Sequence, residues 1–157
     1  DTEVMLITRR GKALRIKENS VRYMGRVSTG IKGMKLLEGD EIAAAVKVDT
    51  EKAIILLTEK GVGKRISPEY FSVHGRGTAG QRIFGNTDGK GEIIGAINAK
   101  ENDEVVCMTS QGKTLRFKAS EIKEQGQSAS GVKIVTIKEP DYLVGIDVVQ
   151  DKDEENK

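Results

Sequence analysis

The stretch Glu3-Val-Met-Leu-Ile-Thr-Arg-Arg-Gly-Lys-Ala-Leu-Arg-Ile-Lys17 decides the fold. It predicts two short β-strands joined by a tight basic turn. The apolar run of residues 4–7 is too short for a buried helix and is bounded by turn signals. The return arm places Leu14 and Ile16 on one face of a strand, and Gly11 suits a turn position with positive φ.

The same pattern occurs three times, at steps of 50 and 51 residues. Equivalent positions hold Thr8, Thr58 and Thr109, then Gly11, Gly61 and Gly112, then Arg15, Arg65 and Arg116. Self-similarity at such a period indicates an array of one supersecondary unit. We therefore divide the chain into units at residues 1–49, 50–100 and 101–150. An acidic tail, residues 151–157, follows them and is expected to be disordered.

Each unit repeats the same succession of elements after its hairpin. A polar segment comes first, and Ser67-Pro68-Glu69 predicts a single helical turn there. A glycine-bounded loop, a short basic strand, a turn and a last apolar strand follow. Four strands per unit of about 50 residues are typical of a propeller blade. We predict an all-β, propeller-like fold of three four-stranded blades that form a partial or open disc.

Composition narrows the possible functions. The net charge is only +2, but residues 1–100 hold eighteen Lys/Arg against twelve Asp/Glu, whereas residues 101–157 hold eight against twelve. Such asymmetry is compatible with a polyanionic partner. Cys107 is the only cysteine, which excludes an intrachain disulfide and a thiolate zinc site. We expect it to be an inert core thiol in a cytoplasmic protein without a signal peptide or a membrane span.

The sequence holds no catalytic constellation, so we expect no enzyme activity and no cofactor. His74 is the only histidine, so a histidine metal cluster or a charge-relay triad lacks members; a loop residue with an auxiliary phosphate contact is the alternative. Residues 75–80 match G-x-G-x-x-G. A dinucleotide fingerprint must open a helix within a βαβ unit, and here a strand is predicted to follow instead.

Basic residues recur at fixed places in the repeat. The predicted DNA-binding residues are Arg15, Arg65 and Arg116 in the hairpin, Arg26 and Arg76 in the loop, and Lys32, Arg82 and Lys133 in the following strand. Because repeated positions in an array are repeated in space, each set would lie at a similar radius and form a track suited to phosphates. Ordinary solvated faces are the alternative interpretation. No recognition helix for reading bases is evident.

Several stretches of the sequence resemble a known family. Five stretches resemble the repeats found in the C-terminal domain of the A subunit of DNA gyrase and in the related topoisomerase IV subunit. They are residues 3–16, 20–36, 37–41, 61–65 and 131–135. The likeness covers residues 1 to about 150. Family members commonly have about six repeats, and the three present here resemble the last three. The basic box Gln-Arg-Arg-Gly-Gly-Lys-Gly that marks gyrase is absent.

The resemblance implies a β-pinwheel, a disc whose neighbouring blades exchange strands, with a basic rim around which duplex DNA bends. The eight basic residues named above would then lie on or near that rim. It also implies a non-catalytic module of a type IIA topoisomerase. The implied partners are double-stranded DNA, the ATPase subunit, and the rest of the A subunit, whose catalytic tyrosine lies in another domain. The implied location is the cytoplasm, at the nucleoid. Gyrase and topoisomerase IV both remain open, and a propeller-type protein-interaction module without a nucleic-acid role is the alternative function.

Overall fold

A computed structural model of the chain describes residues 2–17, 39–73, 80–85 and 89–149. Within these ranges the chain forms eleven β-strands and two short 3₁₀ helices. The strands are β1 (Glu3–Thr8), β2 (Lys12–Lys17), β3 (Ile42–Lys47), β4 (Ala53–Thr58), β5 (Val62–Ile66), β6 (Gln81–Arg82), β7 (Ile93–Ala99), β8 (Glu104–Thr109), β9 (Thr114–Lys118), β10 (Val132–Lys133) and β11 (Leu143–Val149).

The three predicted hairpins are present as β1–β2, β4–β5 and β8–β9, all antiparallel. Their turns share one construction. Gly11, Gly61 and Gly112 have φ values of 99°, 87° and 85°, a region that glycine enters without a Cβ clash. In each turn the threonine at the end of the first strand accepts a hydrogen bond through Oγ1 from the backbone N–H of the residue that follows the turn glycine. The repeated threonine and glycine therefore specify the turn.

Neighbouring units exchange one strand. The sheets have the orders β3-β1-β2-β6 and β10-β5-β4-β7, and the third has the order β11-β8-β9. Strand β6 belongs by sequence to the second unit but pairs with β2 of the first, and β10 of the third unit pairs with β5 of the second. The four strands of a unit thus do not form one blade, since each of the first two blades takes its outer strand from the unit that follows. This exchange is the one that the β-pinwheel resemblance implies.

A single helical turn begins each described segment that crosses to the preceding blade. The 3₁₀ helices span Pro68–Tyr70 and Ala119–Glu121. Ser67 accepts a hydrogen bond from the backbone N–H of Glu69, and Pro68 occupies the first position, so the predicted capped turn is confirmed. Arg15 makes an isolated parallel bridge with Val73, and Arg65 makes one with Glu124. These bridges fix the crossing segments against the preceding blades.

The blades pack through the strands at the opposite edges of their sheets. Strand β7 contacts both β3 and β11, and a Cβ placed on Gly95 would lie 2.7 Å from the side chain of Ile146. Two core clusters lie at these seams, one around Met5, Leu56 and Phe84 and the other around Ile55 and Val105. As expected without tryptophan, the core is mainly aliphatic.

The third blade differs from the other two on the side that, in those blades, the following unit covers. We call this the far side of the third blade. Among the described residues it has three strands, and β9 pairs with β8 alone. A Cβ on Gly112 would meet nothing within 4 Å, whereas one on Gly11 or Gly61 would contact the crossing segment of the next unit. Met108, the equivalent of buried Leu57, is 51% exposed. No described residue therefore covers the far side in the way that the following unit covers the first two blades.

Two single features complete the description of the fold. Cys107 is fully buried, as expected, and burial raises the pKa of its thiol. The described part of the chain contains no helix that is long and apolar enough to cross a membrane.

Candidate nucleic-acid interface

Two predicted site residues, Arg82 and Lys133, lie on the exchanged edge strands. Arg82 on β6 is opposite Lys12 on β2, and Lys133 on β10 is opposite Val62 on β5. Both side chains are exposed. Their positions are equivalent in successive units, so the strand exchange puts one cation at the same edge of each of the first two blades. Two of the three repeated strand positions thus lie at equivalent edges, and their contact with phosphates stays a prediction.

The chain beyond each of these cations is anchored, which holds the edge strands in place. The backbone N–H groups of Ile83 and Phe84 both donate to the oxygen of Gly11, at 2.8 and 3.3 Å. Ile134 and Val135 donate in the same way to the oxygen of Gly61. Ile83 and Phe84 are buried. An exposed cation followed by an apolar anchor is therefore the construction of the exchanged strand.

Arg15 is engaged inside the protein. Its Nε donates to Glu3 at 2.5 Å, and its Nη1 donates to the backbone oxygens of Pro68 and Phe71, both at 3.1 Å. Only 15% of its side chain is exposed. Arg15 therefore joins the first blade to the crossing segment of the second unit, and contact with DNA at this residue stays a prediction.

Arg65 and Arg116 occupy the positions equivalent to Arg15 in the second and third units. Each has fewer hydrogen-bond partners than Arg15. Nη1 of Arg65 donates to the backbone oxygen of Ala119, the equivalent of Pro68, at 3.3 Å. Arg116 lies 3.5 Å from Glu104, the equivalent of Glu3, and 59% of its side chain is exposed. The exposure of Arg116 follows from the uncovered far side of the third blade. Of the three hairpin arginines, it is the one available to a partner.

The other three predicted site residues, Arg26, Lys32 and Arg76, lie outside the described residues. Arg9, another cation near the edge, is already paired with carboxylates. It lies 3.5 Å from Glu41 and 3.6 Å from Glu92, and the three side chains are about half exposed or more. Such exposed pairs contribute little stability, and their opposite charges screen one another.

The third-unit loop, residues 126–131, is held by a buried lysine. Nζ of Lys64 donates to the backbone oxygens of Ile83 at 2.6 Å and of Gln127 and Ala129 at 2.9 Å. Lys64 is fully buried, and desolvation lowers its pKa from 10.5 to about 8. One ammonium group thus joins two successive crossing segments. It also orients carbonyl groups of the loop toward the protein interior.

Sequence reasoning missed three residues, Lys12, Lys64 and Ala53, and comparison of the repeats carries a signal for the last two. Lys12 pairs across the strands with Arg82 and directly follows a turn glycine. Lys64 occupies the position that is leucine at Leu14 and Leu115. Ala53 replaces the glutamate of the other two units. At Lys64 and Ala53, a departure from the repeat consensus marks the place where the chemistry changes.

The described residues contain no group of three or more His, Cys, Asp or Glu side chains that could hold a metal ion. What the arrangement can do chemically is bind an anion through exposed, spaced cations. Among the predicted residues that the structure describes, Arg82, Lys133 and Arg116 are exposed.

Comparison with known proteins identifies the family. The model of the DNA gyrase C-terminal domain, described as a β-propeller, matches residues 2–49, 52–100 and 103–150. The A subunit of DNA gyrase from Escherichia coli strain K12 is 33% identical over 99% of this chain, and that from Salmonella typhimurium strain LT2 is 33% identical over 92%. The chain spans 18% and 16% of the lengths of these two relatives.

Solved structures agree with this comparison. The DNA gyrase A C-terminal domain aligns with a TM-score of 0.83 at 30% identity, over 93% of this chain and 50% of that domain. The C-terminal domain of DNA topoisomerase IV aligns with a TM-score of 0.80 at 23% identity, over 95% of this chain and 47% of that one. At that lower identity the second likeness shows the fold alone. The three matched repeats and their strand exchange establish that this chain belongs to the family of the DNA gyrase C-terminal domain.

Proposed function

We propose that this chain is a non-catalytic module from the A subunit of a type IIA topoisomerase, and that it binds and bends duplex DNA through sequence-independent phosphate contacts. The observation that supports it best is the equivalent placement of Arg82 and Lys133. Both are exposed on exchanged edge strands that repeat from blade to blade. Cations at regular steps along an edge neutralise successive phosphates and release their counterions, which is the main source of non-specific affinity for DNA.

Within the predicted site, we assign different roles to different arginines. Arg82, Lys133 and Arg116 are proposed to contact phosphates, because their side chains are exposed. Arg15 and Arg65 are proposed to hold the seams between blades, because backbone oxygens of the next unit accept their hydrogen bonds. Bending a 20–30 bp site costs about 1–6 kcal/mol, so several phosphate contacts have to offset it. Arg26, Lys32 and Arg76 complete the proposed contact set.

The proposed partners follow from the family. They are double-stranded DNA, the remainder of the topoisomerase polypeptide to which this module belongs and, in the holoenzyme, the ATPase subunit. The proposed location is the bacterial cytoplasm, at the nucleoid. In this arrangement the module contributes to supercoiling or to the choice of DNA geometry, while strand cleavage takes place in another domain.

Salt-dependent binding to a fluorescent duplex of about 30 bp tests the proposal. For a phosphate-contacting surface, log K falls with log[salt] at a slope of about −0.9 per phosphate neutralised. Replacing both Arg82 and Lys133 with alanine should make that slope shallower by about 2. Lys47→Ala is the matched control, since Lys47 is exposed on β3 at the opposite edge of the first sheet. No binding at low salt, or an equal loss with the control, would contradict the proposal.

A protein-interaction module is the second candidate function, and one observation favours it. The third blade exposes Met108, Tyr142 and Val144, each by about half. Where exposed apolar side chains of this kind are contiguous, they mark an interaction surface in many proteins. If Met108→Lys abolishes association with a protein partner while duplex affinity is absent throughout, this second function replaces the first.

A further inference from the structure

A cavity of about 400 Å³ lies between the second and third units. Its wall contains residues 50–53, Arg65 and Ser67 of the second unit, the turn at residues 99–102, and Glu124. The cavity has a counterpart between the first two units, lined among others by Glu3 and Arg15. The two cavities therefore occupy equivalent seams and can be compared position by position.

The comparison shows one missing group. In the first unit, Nε of Arg15 donates to the carboxylate of Glu3, and in the third unit Arg116 is paired with Glu104. In the second unit the glutamate position holds Ala53, which lines the cavity. Nε of Arg65 is buried and has no hydrogen-bond partner among the described residues. A buried donor of a charged group without an acceptor is costly, because it has given up its hydrogen bonds to water.

The guanidinium of Arg65 is already held in position. Its Nη1 donates to the oxygen of Ala119, as Nη1 of Arg15 donates to the oxygen of Pro68. This bond ties the guanidinium of Arg65 to the crossing segment of the third unit, as the equivalent bond ties Arg15 to that of the second. A planar guanidinium oriented in this way suits a carboxylate, which can accept two parallel hydrogen bonds.

The charges of the cavity wall restrict the ligand. Glu51, Glu101 and Glu124 line it together with Lys52, Lys100 and Arg65. The three carboxylates balance the three cations, so the wall has no net positive charge to attract a doubly charged phosphate or the closely spaced charges of a nucleic acid. A single negative charge on a small planar group is tolerated, as the Glu3–Arg15 pair of the sister site shows.

We propose that the seam between the second and third units is a carboxylate-binding site. In it, Arg65 binds the carboxylate of a ligand, because Ala53 supplies no carboxylate at the position that Glu3 and Glu104 hold in the other units. The ligand is a monoanionic carboxylate, either a free small acid or the side chain of an Asp or Glu on another protein segment. The site is separate from the proposed DNA contacts, because Arg82, Lys133 and Arg116 do not line the cavity. Its existence does not depend on the DNA-binding proposal.

The test follows the Nε–Hε NMR signal of Arg65, assigned by its disappearance in Arg65→Lys. Sodium acetate is titrated against sodium chloride and sodium phosphate at matched ionic strength. A saturable shift with acetate, at least roughly tenfold weaker with phosphate, is expected. Equal shifts with all three salts, or none with acetate, would overturn the proposal. A blocked peptide with one glutamate, compared with its glutamine analogue, then separates the two sources: a shift with the glutamate peptide identifies a protein side chain, and a shift with acetate alone identifies a small acid.

A carboxylate introduced into the chain itself provides an independent test. Ala53→Glu rebuilds the pair of the first unit and should abolish the acetate shift while raising Tm by about 2–4 °C, the change expected for a modest stabilisation in a chain of this size. Ala53→Gln has the same length without the charge and should leave Tm lower than Ala53→Glu. Equal Tm values for the two variants, or an acetate shift that persists in Ala53→Glu, would contradict the assignment.

Discussion

The ammonium nitrogen of Lys64 lies 2.6 Å from the backbone oxygen of Ile83, although the two residues belong to different blades. The same nitrogen reaches the oxygens of Gln127 and Ala129, which arrive from the third unit. The three acceptors use all three donors of a protonated amine. A fully buried cation thus joins three consecutive parts of the array through backbone carbonyl groups.

Lys64→Leu should destabilise the chain even though leucine occupies this position in the other two units. Ile83 and Gln127 would lose the donor to their oxygens, whereas Ala129 would keep the backbone N–H of Gly85. Leaving a buried polar group unpaired costs about 1–3 kcal/mol, so a loss of roughly 2–4 kcal/mol in the free energy of unfolding is expected at pH 7. Urea unfolding monitored by circular dichroism measures it. Lys60→Leu, at an exposed turn of the same hairpin, should change little.

The wild-type chain should become more stable relative to Lys64→Leu as the pH rises from about 8 to 10.5. Burial lowers the pKa of Lys64 to about 8 in the folded state, whereas the unfolded chain retains the ordinary value. Between these values the unfolded state binds more protons, so the free energy of unfolding increases with pH, by about 3 kcal/mol at most. Below about pH 8 both states are protonated and the difference between the variants should be flat. A difference that shifts the opposite way above pH 8 would contradict the assignment.

Equivalent core positions should differ sharply in their cost of truncation. Leu57 is fully buried and packs with Cys107 and Leu143 of the third blade, while its equivalent Met108 is half exposed. We expect Leu57→Ala to cost about 2–5 kcal/mol, since it leaves a cavity in a packed seam. Met108→Ala should cost less than about 1 kcal/mol, in the range of surface substitutions. Chemical unfolding of both variants decides this, and equal costs would show that the far side of the third blade is covered.

Much of this fold could be predicted from the sequence because the repeat is local. The threonine, glycine and arginine of each hairpin lie close together along the chain, so spacing alone specified three turns that the structure confirms. The capped turn at Pro68 is equally local. The exchange of β6 and β10 came only from the family resemblance. The hydrophobic pattern of a strand predicts which of its faces is buried, but not which strand lies beside it. Pairing across units depends on contacts between residues far apart in sequence.

The candidate site was less predictable for the same reason. Arg15 and Arg82 both recur in phase, yet one is directed into a seam and the other to an exposed edge. Charge pattern cannot separate these outcomes, because the acceptors of Arg15 include backbone oxygens, which every residue carries. Lys64 was missed because a lysine in an alternating strand is ordinarily solvated, and only its leucine counterparts mark the position as buried.

Turn glycines should also differ in their tolerance of substitution. A Cβ on Gly61 would lie 2.4 Å from the backbone oxygen of Val135, while one on Gly112 meets nothing within 4 Å. Both residues have positive φ, so each alanine variant carries the backbone strain of about 1–2 kcal/mol. Gly61→Ala must in addition displace the crossing segment. We expect Gly61→Ala to lower Tm well beyond Gly112→Ala in differential scanning calorimetry, and the reverse order would be inconsistent with the packed seam.

Arg15 and Arg116 provide the sharpest separation of structural from DNA-contacting roles. Arg15 is largely buried, and breaking such a pair costs about 3–5 kcal/mol because its partner, Glu3, loses its counter-charge. Arg15→Gln should therefore lower the free energy of unfolding strongly. It should leave the salt dependence of duplex binding unchanged, provided that binding is measured at a temperature where the variant is folded.

Arg116→Gln should behave in the opposite way. Its pair with Glu104 is exposed and contributes about 0–1 kcal/mol, so stability should hardly change. If its guanidinium neutralises one phosphate, the slope of log K against log[salt] should become shallower by about 0.9. Fluorescence anisotropy across a salt series measures the slope, and urea unfolding measures stability on the same samples. A slope change in Arg15→Gln but not in Arg116→Gln would reverse the two roles, because a residue buried in a seam can alter counterion release only by contacting the duplex itself.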